Sequence, residues 1–219
     1  DDVVIYPSRQ VGALVERGWL RPVRKSVLES ADLDLQSLYP MVRDGVLRYG
    51  NQVYALSLGE PPLLLATSLP AVLEVQTWQA VTIDRGGARV AYPRALELLA
   101  RAVAATEPHR RGELCFEPQS MEPRLTSPPF VRALQQMRGP SAEPGAFLAL
   151  PQAAGSARVA LLPRAELIYH PTRDTWEANP SELSVTLLPG TGRSMSVTRA
   201  TRNVASAFKV LAWLANETT

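Results

Sequence analysis

Apolar positions along the chain fall into short runs cut by proline, glycine and polar clusters. Asp1-Asp2-Val3-Val4-Ile5-Tyr6 opens on continuous β-branched residues, the pattern of a strand covered on both faces. Ser8 then stands where it could cap a helix over 8–17, with Val11, Leu14 and Val15 on one face and Gly18 as the stop. Trp19 and Leu20 are expected to pack down ahead of Pro22. From 26 to 44, Val27, Leu28, Leu33, Leu35, Leu38 and Val42 recur at near-helical spacing and read as short helical turns. Gly50-Asn51, between apolar runs at 46–49 and 52–56, is a hairpin signal. Glu60-Pro61-Pro62 breaks the pattern, and Leu63-Leu64-Leu65-Ala66 begins a buried strand.

Gln76-Thr77-Trp78-Gln79 follows, then a turn at Asp84-Arg85-Gly86-Gly87. The Ala/Leu-rich stretch 93–106, with Pro93 in its first turn, predicts the strongest helix. Ser127-Pro128-Pro129 opens another through Met137, with Phe130, Val131, Leu134 and Met137 as its apolar stripe. The segment 139–145 reads as loop. Buried strands are predicted at 157–162 and 183–188, and Pro189-Gly190-Thr191-Gly192 marks a second crossing. Residues 193–198 alternate like a strand, and 203–216 form an amphipathic closing helix with Val204, Ala207, Phe208, Leu211 and Leu214 inward. Strands alternate with helices, so the predicted class is α/β.

Composition changes this picture little. The 219 residues are 46% hydrophobic, 20% charged and 6% aromatic, which excludes a disordered or fibrous chain. No apolar run approaches the roughly 18 residues needed to span a bilayer. A net charge of +2 is too small to imply nucleic acid. The single Cys115 excludes an internal disulfide and a Cys-rich zinc site. Nineteen prolines, about 9% of the chain, exceed the usual share near 5% and keep the elements short. An opening directly on a core strand, with no initiator methionine, predicts a processed or excised piece whose preceding sequence is missing.

Motifs for chemistry are few. His109 and His170 lie far apart in sequence and outside any metal-ligand spacing, so no metal is expected. No serine sits in a Gly-x-Ser-x-Gly elbow, and Cys115, between Leu114 and Phe116 on a presumed apolar strand, reads as a small core side chain. Gly190-Thr191-Gly192 lacks the rest of a phosphate-cradling loop. His109-Arg110-Arg111 reads as a solvated loop, and Asp32 and Asp34, two apart on a helical stretch, face away from each other. Nothing among these argues for an enzyme or a cofactor.

Several segments in order resemble the bacterial extracellular solute-binding proteins of ABC transporters, of the maltose-binding-protein type. Asp2-Val3-Val4 leads to Leu14, Gly18, Leu20 and Pro22, as in that family's first block. Gly50-Asn51-Gln52-Val53-Tyr54-Ala55-Leu56-Ser57 and then Leu63-Leu64-Leu65 match a second, and Thr77-Trp78-Gln79 a third. Ser127-Pro128-Pro129-Phe130-Val131-Arg132-Ala133-Leu134 and Gly155-Ser156-Ala157-Arg158-Val159-Ala160 follow. Val185-Thr186-Leu187-Leu188-Pro189-Gly190 and Ala205-Ser206-Ala207-Phe208 through Trp213-Leu214 complete the series. The resemblance implies a periplasmic-binding-protein-like fold of two lobes joined by a hinge. The first lobe would be 1–60 with 192–219, incomplete, and the second 61–191. It further implies a monomer outside the cytoplasm, in the periplasm or on a lipid anchor. That monomer would close on a small solute and be read by a membrane permease, with no nucleic acid involved. The alternative is a sensor or scaffold domain that keeps the fold without transport.

Departures from the family pattern shape the ligand expectation. Ser57 and Thr67 stand where proline and asparagine are usual. Pro163-Arg164-Ala165-Glu166 stands where sugar-binding members carry aromatics that stack on the ring. Arg164 suits a carboxylate, phosphate or other polar anion, though a sugar is not excluded. The candidate ligand contacts are Tyr6, Ser8 and Arg9 just past the first strand, Glu60 at the first crossing, Arg164 with Glu166, and Trp176. Each has a plainer alternative: capping, a hinge ion pair, a surface pair or packing. Trp78 and Trp213 are expected to be packing residues.

Overall fold

Each break in the hydrophobic pattern places an element boundary, and the elements gather into two units, Asp1–Pro61 with Leu188–Thr219, and Pro62–Leu187. The structure, a computed structural model, describes residues 2–29, 41–67, 77–84, 86–88, 90, 92–117, 119–138, 146–180, 184–189 and 191–217. Leu33, Leu35, Leu38, Asp32, Asp34, Gln76, Arg85, Leu183, Gly190 and the loop at 139–145 lie outside the described residues.

In the first unit, β1 (Val3–Pro7), β4 (Leu56–Ser57) and β10 (Arg193–Val197) form an antiparallel sheet in the order β1-β10-β4. Val3 faces Val197 and Pro7 faces Arg193, while Leu56 pairs with Met195. The expected opening strand covered on both faces is corrected here. Among the described strands β1 is an edge, with only Tyr6 buried and Ile5 51% exposed. The covered strand is β10, buried from Ser194 to Val197. Its two serines remain in the interior because their hydroxyls are satisfied. Ser194 bonds Ser8 Oγ at 2.9 Å, and Ser196 donates to the Tyr54 carbonyl at 2.7 Å and meets the Tyr6 hydroxyl.

Ser8 does not cap a helix. It lies within a 3₁₀ turn, Ser8–Gln10, that leads into α1 (Val11–Glu16). Gly18 ends α1 as expected: at φ 69° it takes a left-handed conformation, donating to Val15 O while Trp19 N reaches Leu14 O. Leu20 is buried, but Trp19 is 57% exposed, against the expectation that both pack down. After the short α2 (Lys25–Leu28) and a π-helical turn at Met41–Val46, β2 (Arg48–Tyr49) and β3 (Gln52–Val53) form the hairpin turned by Gly50-Asn51. α5 (Val204–Glu217) buries Ala207, Phe208 and Leu211 against Leu56, Met195 and Val197. Trp213 is 61% exposed, so it is not a core residue.

In the second unit, β5 (Leu64–Thr67), buried throughout, is flanked antiparallel by β6 (Phe147–Ala149) and β7 (Arg158–Ala160). The run at 157–162 is therefore not a buried strand. As a flanking strand β7 leaves Val159 and, beyond it, Leu161 exposed, and only Leu162 turns inward. Residues 184–189 form no strand, although Leu187 O accepts from Leu63 N at 2.8 Å. α3 (Pro93–Ala104) and α4 (Pro128–Arg138) pack together, α4 through Phe130 and Ala133, leaving Val131 and Leu134 exposed rather than inside the expected stripe. A hairpin the pattern did not announce, β8 (Leu167–His170) with β9 (Thr175–Ala178), completes this unit. Trp78 is buried as expected, beneath the Arg101 guanidinium at 4.7 Å.

Candidate functional site

The first unit gathers Tyr6, Ser8, Arg9 and Glu60 at one end of its sheet. The chain leaves β1 through Pro7 and turns at once, so Ser8 N can reach Gly192 O at 3.0 Å beside β10. Ser8 is buried and its hydroxyl is engaged with Ser194. Tyr6 is buried with its hydroxyl on Ser196, and that burial raises its pKa, so the phenol stays neutral and acts as donor or acceptor only. Arg9, on the exposed side of the 3₁₀ turn, forms no ion pair among the described residues. Glu60 binds the Gly192 amide through Oε2 at 3.1 Å, while its Oε1 is buried without a hydrogen-bond partner among the described residues. It therefore ties together the two stretches through which the chain leaves and re-enters this unit. A Cβ on Gly192 would stand 2.3 Å from Gly59 O and 2.4 Å from Glu60 Cδ, so the tie depends on a glycine there.

In the second unit Arg164 and Glu166 lie beside Thr77. Trp78 N donates to Arg164 O at 3.0 Å, Thr77 bridges Arg164 in parallel, and Thr77 Oγ1 donates to Glu166 Oε1 at 3.1 Å. Asn179 fixes the same loop, its amide reaching Glu166 O and its Nδ2 Ala165 O. Trp176, on β9, stacks at 5.3 Å and 50° with Tyr169 and takes the Arg132 guanidinium over its ring at 4.8 Å. Trp176 thus belongs to an arginine-capped aromatic pair, while Arg164 and Glu166 share Thr77. Thr77 and Asn179 are not among the site residues the sequence predicts; only the Thr77-Trp78 motif points near them.

The two histidines, far apart in sequence, converge on one carboxylate. Though 63 residues apart, His170 and Glu107 meet, Nδ1 lying 2.5 Å from Oε1, and His109 reaches the other oxygen of Glu107 at 3.4 Å. His170 Nε2 faces Glu177 at 3.4 Å. Among the described residues no group of three His, Cys, Asp or Glu side chains is placed to hold a metal ion. Arg111 is partly buried rather than solvated, and burial lowers its pKa. Cys115 is half-buried beside Leu114 and Phe130, and burial pushes its thiol pKa up, away from reactivity.

The Glu107 cluster carries a pH prediction. The hydrogen bond with His170, assisted by the charges of His109, His170 and Arg110, holds the Glu107 carboxyl below its ordinary pKa. A folded-state pKa below the unfolded one adds stability above the ordinary carboxylate range, and that stability is lost as pH falls through the lowered value. Glu107→Gln is expected to melt lower at neutral pH and to lose less on acidification. Melting curves from neutral to acid pH check this, and parallel acid slopes for both proteins would contradict it.

No protein-family model and no curated protein sequence matches the chain. Solved structures do match its fold. The sugar-binding protein MalE of Xanthomonas citri superposes with a TM-score of 0.66 at 14% identity, over 98% of this chain and 61% of that one. An ABC-transporter solute-binding protein of Thermotoga lettingae, bound with α-D-tagatose, gives 0.60 at 16% identity over 97% and 62%. The maltose-maltodextrin-binding protein of Alicyclobacillus acidocaldarius gives 0.55 at 17% identity over 99% and 63%. The chain has the α/β fold of these two-lobe binding proteins and spans about 60% of their length.

Proposed function

We propose that the chain is part of a non-enzymatic solute-binding protein of an ABC import system, working outside the cytoplasm and delivering its ligand to a membrane permease. The observation that carries this reading is the fold match along 97–99% of the chain to proteins of that kind. In this reading the two units are the lobes. Pro61-Pro62 and the stretch from Leu188 to Gly192 are the hinge, with Glu60 bracing it through Gly192. Arg9 and Glu60 from the first unit, and Arg164, Glu166 and Trp176 from the second, contact a small polar solute once the lobes close. Ligand contacts complete only in the closed state shift the open–closed equilibrium, and a permease reads that shift.

The named ligands of the matched proteins are sugars. Two features favour a polar anion here. Arg9 stands exposed and without an ion pair among the described residues, and Arg164 occupies a position where the family's sugar-binding members stack an aromatic. The test is a thermal-melt screen of the purified chain against sugars, polyols, organic acids, phosphate esters and amino acids. A solute at about 100 times its dissociation constant stabilises by about 2.7 kcal/mol. For a chain of this size that raises the melt by roughly 5–10 °C. Organic acids or phosphate esters are the expected hits. A neutral sugar as sole hit would remove the arginine argument, and a clean melt that no solute moves would remove the binding reading.

A further inference from the structure

The first unit holds a concave site whose lining includes neither Arg9 nor Glu60. A pocket of about 440 Å³ opens between β1, the end of α1 and the turn after β10, walled chiefly by Val4, Tyr6, Leu14, Trp19 and Leu20. A smaller pocket of about 290 Å³ shares Gly18, Leu20 and Arg199 with it and adds Arg21. No aspartate or glutamate lines either one.

Arg199 stands where the two meet. Its main chain is fixed on both sides, its amide donating to Trp19 O at 2.7 Å and its carbonyl accepting from Arg21 Nη2 at 2.7 Å. Its guanidinium has no carboxylate partner among the described residues. Gly18 gives that group room: a Cβ there would lie 3.3 Å from Arg199 Nη1. The Trp19 indole, 57% exposed, forms an open aromatic wall, with the Arg17 guanidinium 5.5 Å over its ring.

Apolar walls with one or two placed polar groups are the usual make-up of a small-ligand pocket, and this volume is in the usual range. From this we infer that the joined pockets bind an amphiphilic monoanion, its hydrocarbon or aromatic body against Val4, Leu14 and Trp19 and its carboxylate or sulfonate on Arg199. A sugar fits less well, since only Gln10, Thr198 and Arg199 offer partners to its many hydroxyls while Val4, Leu14 and Leu20 offer none. A cation meets two arginines and no acid. The site does not rest on the transport reading and shares with it only the Tyr6 ring, whose hydroxyl is already taken by Ser196.

The test titrates the whole chain with 8-anilinonaphthalene-1-sulfonate by fluorescence and competes the dye with decanoate or decan-1-ol. The expected result is saturable uptake of one equivalent, displaced by decanoate. Decan-1-ol should be at least about tenfold weaker, for want of the charge-assisted hydrogen bond. Trp19→Ala and Arg199→Glu each weaken dye binding by at least about tenfold, while Arg199→Lys keeps most of it. Trp213→Ala, which removes an equally exposed indole on α5, changes nothing. Melting curves establish that each variant is folded, and both test positions are solvent-facing, so folding is expected to survive. Unsaturable uptake, indifference to Arg199→Glu in a folded variant, or equal competition by decan-1-ol would overturn the inference. So would dye binding that falls as protein concentration rises while the chain elutes as a dimer, because a second copy would then be the occupant.

Discussion

Replacing Arg101 with methionine is expected to destabilise the second unit by about 3–5 kcal/mol, the cost of stranding a buried charge. Arg101 and Glu97 are four residues apart on α3 and almost wholly inaccessible, at 4% and 1% exposure. The guanidinium does more than neutralise Glu97, on which its Nε and Nη2 converge at 3.0 and 2.9 Å. Nη1 donates to Trp78 O at 2.9 Å, Nη2 to Val81 O at 3.2 Å, and the plane lies over the Trp78 ring. One side chain thus fastens α3 to the turn that carries Trp78 and, one residue earlier, Thr77. Methionine fills similar space but removes the cation that faces Glu97 and the donor to Val81 O, and leaves Trp78 O only the longer bond from Val81 N at 3.4 Å. At about 2–4 °C per kcal/mol the melt should fall by roughly 6–20 °C. Arg101→Met with Glu97→Leu should recover part of the loss, since the buried charge is gone, but not all, since the Val81 carbonyl still loses its donor at a cost of about 1–3 kcal/mol. A double variant no more stable than the single one, or a single variant losing under about 1 kcal/mol, would show that the pair is not coupled in this way.

Phe208→Ala is expected to cost about 3–5 kcal/mol in the first unit, by the loss of a buried aromatic and the cavity it leaves. Phe208 is 3% exposed and lies in one cluster with Leu56, Met195, Val197 and Leu211. Trp213→Ala, five residues along the same helix, should change stability by no more than about 0.5 kcal/mol because its ring is solvent-facing. Chemical denaturation of both variants separates them. Similar losses from the two would mean that α5 presents a different face to the core.

The contrast on α5 also shows where sequence reasoning was sound. Its helical stripe of Ala207, Phe208 and Leu211 is a local periodicity, and so are the Gly18 helix stop and the Gly50-Asn51 hairpin. Failures came where burial depends on partners distant in sequence. Ser194 and Ser196 made β10 look half-exposed, yet hydroxyls and a carbonyl supplied by Ser8, Tyr6 and Tyr54 let it run through the interior. Val159 and Leu161 looked like core and are exposed, because β7 is a flank of its sheet. The β8–β9 hairpin was hidden by its polar residues, with Asp174 taking the left-handed conformation in a turn without glycine. The i,i+4 spacing of Glu97 and Arg101 was visible, but nothing local said that the pair is buried. Of the candidate site, Tyr6, Ser8 and Arg9 follow from their place at the end of the first strand, and Glu60, Arg164, Glu166 and Trp176 from family resemblance. The Thr77–Glu166 bond, the Arg132–Trp176 stack and the orphan oxygen of Glu60 depend on contacts between residues distant in sequence, which no local pattern encodes.

We propose that residues of both units hold one solute, and calorimetric titration with the solute that most raises the melt tests this. One saturable site per chain is expected. Arg9→Ala in the first unit and Arg164→Ala in the second should each weaken it by about tenfold or more, as expected for a lost charge-assisted hydrogen bond. Binding that is unaffected by either substitution in a folded protein, or lost only when one unit is altered, would contradict it.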